Sequence, residues 1–79
     1  MIPFRITERS IDSILAHKGK NPPAECYVID KIKQEIQSGN EVVIIDNHDP
    51  NEIIGRVVIE NGELRKHLYE YTTPIEMPS

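Results

Sequence analysis

The reading of one segment decides the fold. Residues 41–71 run EVVIIDNHDPNEIIGRVVIENGELRKHLYEY. Val42-Val43-Ile44-Ile45 is apolar at every position, the pattern of a strand covered on both faces or placed at an interface. A polar loop, Asp46 to Glu52, separates it from a second run, Ile53 to Ile59. Asn61-Gly62 then marks a two-residue hairpin turn, because both positions tolerate positive φ. Such a turn sets the pairing of the second and third strands. Glu60 stands opposite Glu63, Ile59 opposite Leu64, Val58 opposite Arg65, Val57 opposite Lys66, Arg56 opposite His67, Gly55 opposite Leu68 and Ile54 opposite Tyr69. Ile53, Val57, Ile59, Leu64 and Leu68 then share an apolar face, with Lys66 as the exception. Arg56, Arg65, His67 and Tyr69 share the other face.

The chain before this segment reads as helical, apart from its start. Phe4-Arg5-Ile6 alternates in the manner of a half-buried strand, and Pro3 confines that strand to an edge. Thr7 is a helix N-cap, Ile11, Ile14 and Leu15 form a narrow apolar stripe, and Gly19 ends the helix. Pro22-Pro23 opens a second helix reaching about Ser38, with Val28, Ile29, Ile32 and Ile36 facing inward. Cys26-Tyr27-Val28-Ile29 also has strand propensity, so a helix beginning only at Asp30 is the competing parse. The expected fold class is therefore α+β. Two helices pack on one face of a small antiparallel sheet, a three-stranded meander over 41–71 with or without an N-terminal edge strand. Residues 1–71 are expected to form one domain, and 72–79, with Pro74 and Pro78, an irregular or disordered tail.

Bulk properties narrow the function classes. A chain of 79 residues buries only about 60% of the surface its unfolded form exposes, so its core is small. The single cysteine, Cys26, excludes an internal disulfide and suits a reducing compartment. There is neither a Cys/His metal framework nor a glycine-rich phosphate loop, so no metal and no cofactor is expected. The net charge of -4 weakens any bulk attraction to nucleic acid or anionic membranes. No apolar run approaches the roughly 18 to 20 residues of a membrane span, and no signal-peptide pattern opens the chain. A cytoplasmic location, in the producing or host cell, is the expectation.

Three groups of residues carry the functional candidates. Arg56, Arg65, His67 and Tyr69 suit a phosphate, a carboxylate or a stacked base, unless Glu60, Glu63 or Glu70 neutralises the arginines on an ordinary solvated face. Val42, Val43, Ile44 and Ile45 are the candidate interface, because a chain this small covers both faces of such a strand with difficulty. The loop Asp46-Asn47-His48-Asp49-Pro50-Asn51-Glu52 is rich in oxygen donors, but it lacks the EF-hand spacing and reads as a turn. Histidines 17, 48 and 67 fall in three different elements, so no catalytic residue is assigned.

The order strand-helix-helix-strand-strand-strand is similar to that of the RelE/ParE family of toxins, which are usually basic. This chain is acidic, ends in Pro-Ile-Glu-Met-Pro-Ser and shares no motif with them, so the similarity is one of element order alone. The expected function is that of a small acidic, non-enzymatic protein-binding module: a regulator, an antitoxin or immunity-type protein, or a phage-encoded inhibitor. Its expected partner is another protein, with nucleic-acid-binding proteins among the candidates, or a second copy joined through the sheet. The alternatives are a nucleic-acid, nucleotide or anion binder using the 53–71 hairpin, and a small toxin-like ribonuclease.

Overall fold

The computed structural model describes residues 3–69; the anticipated tail over 72–79 lies outside the described residues. The elements are β1 (Phe4–Thr7), α1 (Glu8–Ala16), α2 (Pro23–Gln37), β2 (Val42–Ile45), β3 (Ile53–Glu60) and β4 (Glu63–Leu68). They build one four-stranded sheet in the order β1-β2-β3-β4, with both helices on one face. The class is α+β.

Local chemistry sets the helix ends. Thr7 Oγ1 accepts the Ser10 amide at 3.2 Å, which caps α1. Asn47, from the loop after β2, accepts the Arg9 amide at 2.8 Å, so that loop also closes the start of α1. Pro23 occupies the first turn of α2, where its missing N–H leaves nothing unpaired. Cys26 to Ile29 lies inside α2, which settles the competing parse in favour of the long helix. Cys26 itself is exposed on that helix.

The sheet is mixed. β2 pairs antiparallel with β3, and β3 with β4, but β1 runs parallel to β2, with Phe4 opposite Val42 and Ile6 opposite Ile44. Two helices in succession carry the chain back to the end where β1 began, which is the connection that parallel pairing requires. β2 is therefore an interior strand. Its four residues are 0–8% exposed within the single chain.

The core lies between helices and sheet. Ile11 and Ile14 of α1 and Ile32 of α2 pack on Ile6, Val42, Ile44 and Val57. Burying one such side chain stabilises by about 1.5–3 kcal/mol, so these seven dominate cohesion in so small a chain. The hairpin register follows its turn: Asn61 has φ 54 and Gly62 φ 80, and Gly55 through Glu60 pair with Leu68 through Glu63. One irregularity interrupts β3. Ile44 faces Gly55 while Ile45 faces Ile53, so Ile54 is an inserted residue, a β-bulge. The bulge leaves Ile53 40% exposed, off the apolar face expected for it.

Candidate functional site: the uncovered sheet face

The register places Arg5 of β1, Val43 of β2, Arg56 of β3 and His67 of β4 side by side in one row. Residues paired across a ladder point to the same side, and the helices cover the opposite side. This row therefore stands on the face that neither helix covers. Val58 and Arg65 form the next row toward the hairpin turn, with Glu60 and Glu63 beyond it. In the other direction the Tyr69 amide donates to the Ile54 carbonyl at 2.8 Å, which fixes Tyr69 beside the bulge with its side chain exposed.

Val43 and Ile45 are buried although they lie outside the helix-side core. Arg5 and Arg56 flank Val43, and arginine stems cover apolar neighbours while their heads remain in water. The Arg5 guanidinium also donates to the Pro50 carbonyl at 3.5 Å, laying its side chain toward the 46–52 loop. The open face thus has an apolar floor beneath a cationic rim.

Of the four residues singled out from the sequence, Arg56, Arg65 and His67 share this face but not one environment, and Tyr69 follows the end of β4 beside the bulge. Arg65 and His67 both turn to Glu60, at 3.7 Å and 3.2 Å. Among the described residues Arg56 has no side-chain hydrogen bond or ion pair. Arg5 joins Arg56 and His67, a member that only the parallel pairing of β1 reveals. Val42 to Ile45 contributes Val43 and Ile45 as the floor, whereas Val42 and Ile44 lie in the helix-side core.

A second cluster escapes sequence reading. Glu25 of α2 accepts from Ser13 at 2.8 Å and from Asn21 at 2.9 Å, and lies 2.7 Å from His17 Nδ1. The Asn21 hydrogen bond, then that of Ser13, lowers the Glu25 pKa, partly opposed by desolvation. Serine, histidine and glutamate together resemble catalytic furniture. Here, however, Ser13 and His17 both bond the carboxylate and not each other, so no nucleophile–base pair exists. The cluster ties α1 to α2. Its signal in the sequence is only a Ser, His, Asn and Glu spaced about one helical turn apart across a helix break.

The polar loop is likewise structural. Asp46 Oδ2 accepts the amides of His48 and Asp49 at 2.9 and 3.1 Å, and Asp49 Oδ1 accepts that of Asn51 at 3.0 Å. These are Asx turns, which direct carboxylate oxygens at the backbone. Among the described residues no group of three acids, histidines or cysteines is placed to hold a metal ion. No helix among them is long and apolar enough to cross a membrane. No protein-family model, curated protein or solved structure matches this chain.

Proposed function

We propose that this chain is a non-enzymatic protein-binding module that docks through the uncovered face of its sheet. One observation carries the reading. Both helices lie on one side, and the other side presents Arg5, Arg56, Arg65 and His67 above the buried Val43 and Ile45 floor, with the exposed Tyr69 following β4 beside the bulge. A face rich in exposed arginine side chains, with an aromatic at its end and a charged margin, has the make-up of a protein interface. The net charge of -4 adds long-range steering, which selects the approach of a partner more than it sets affinity. A regulator or inhibitor that acts by occupying a partner's surface needs nothing further from this chain. The test is affinity capture from the native host, followed by light scattering on the reconstituted pair. A stoichiometric complex is expected. Turnover of any substrate at catalytic protein concentration would defeat the proposal.

A second reading has its own support. Arg56, with no side-chain partner among the described residues and opposite His67 in the ladder, also suits a phosphate, and the exposed Tyr69 a stacked base. Salt titration separates the two, because phosphate contacts make affinity fall steeply and linearly on a logarithmic salt scale.

A further inference from the structure

A cleft of about 450 Å³ lies between the end of α1, the middle of α2 and the hairpin turn. Ile14, Leu15, Ile29 and Leu64 line it together with Lys18 and Lys33. Its size falls within the range of about 300–1,000 Å³ usual for small-molecule sites. We propose that this cleft binds a small amphipathic anion, an apolar body carrying one carboxylate, with Lys18 and Lys33 holding the charge.

Three observations support the assignment. Lys18 and Lys33 come from different elements and, among the described residues, neither has an ion-pair partner. They face one acid in the lining, Glu63, so the margin carries a net positive charge in a chain whose net charge is -4. The negative end of a helix would ordinarily repel an anion here, but two of the last carbonyls of α1, and that of His17 just beyond it, are engaged. Ile14 O accepts from the Asn21 side chain at 2.9 Å, Leu15 O from the Lys18 amide at 3.3 Å, and His17 O from the Lys20 amide at 3.0 Å.

The third observation is backbone geometry. Lys18 has φ 51, a left-handed conformation that glycine adopts at less cost, and Gly19 follows it at φ 88. A lysine at this position sacrifices some stability and gains an ammonium at the mouth of the cleft. That exchange makes sense where the ammonium has work to do.

The probe is octanoate, read by backbone amide shifts, with 1-octanol as the uncharged control. Saturable one-to-one binding is expected, with shifts centred on Leu15, Gly19, Ile29 and Leu64 and weaker binding of the alcohol. Lys18→Ala with Lys33→Ala should weaken octanoate about tenfold, the loss expected of removed charge-assisted contacts. Lys18→Gly should melt no lower than wild type yet also bind octanoate less well, which separates binding from folding. The assignment is overturned by any of three results: no saturation, unchanged affinity in the double variant, or shifts centred on the exposed Ile53, Leu68 and Tyr69 instead.

Discussion

The Lys66 ammonium of β4 rests on the Asp12 carboxylate of α1, with Glu8 on its other side at 3.5 Å. The residue that interrupts the apolar face of the hairpin thus joins the helix layer to the edge strand. Its stem runs over the same face as Val57, its ladder partner, and its charge is met by the first turns of α1. Lys66→Ala should lower stability by about 1 kcal/mol in urea unfolding, and Lys66→Met by less, because methionine keeps the packed stem. An equal loss in both variants would show that the stem contributes nothing. The pKa of Lys66 is raised, first through its hydrogen bond with Asp12, opposed by desolvation. This contribution is therefore fully present below the ordinary lysine range and is lost as pH rises through the elevated value. Unfolding curves at alkaline pH should converge for wild type and Lys66→Met, while Lys66→Ala keeps the deficit of its lost stem.

Glu25 makes the opposite prediction in pH. Hydrogen bonds from Asn21 and Ser13 hold its pKa below the usual glutamate range. Its contribution is present above that range and is lost as pH falls through the depressed value. Glu25→Ala should lower the melting temperature more than Ser13→Ala or Asn21→Ala alone, since it frees all three donors at once. The gap between wild type and Glu25→Ala should close in acid. A gap that persists there would show that the carboxylate charge is not what joins the helices.

At Gly55 the β4 backbone leaves no room for a side chain on β3. A Cβ there would meet the His67 carbonyl oxygen and lie 2.9 Å from Leu68 Cα, both of them backbone. Gly55→Ala should destabilise by about 1–3 kcal/mol, the usual range for overpacking without room to relax. It should also shift the amide resonances of His67, Leu68 and Tyr69. Gly55→Ala folding as stably as wild type would mean that the strands are not held this closely.

How much of this is legible in the sequence depends on whether the signal is local. The Asn61-Gly62 turn alone dictates the hairpin register, and the 28/32/36 spacing of Val28, Ile32 and Ile36 establishes α2 across the strand-like Cys26-Tyr27-Val28-Ile29. The parallel pairing of β1 is not local. It depends on where two helices return the chain, so Arg5 cannot be placed beside Val43 from periodicity. The bulge at Ile54 escapes for a related reason, because an apolar pair gives no sign of which residue is inserted. Lys66 looks like an error in the apolar pattern until Asp12 is seen across the layer. Val42 to Ile45 reads either as a covered strand or as an interface strand, and its own sequence holds nothing to separate the two. In the fold its first and third residues meet the helices, while its second and fourth form the floor of the open face.

Whether the open face meets a partner protein is decided by capture from the native host, with two folded variants compared against wild type. Arg56→Glu with Tyr69→Ala alters the open face, and Asp30→Lys with Lys31→Glu alters the exposed side of α2 without changing net charge. The sheet-face variant should lose the captured protein, while the helix variant should retain it at the wild-type level. Retention by the sheet-face variant together with loss by the helix variant would contradict it.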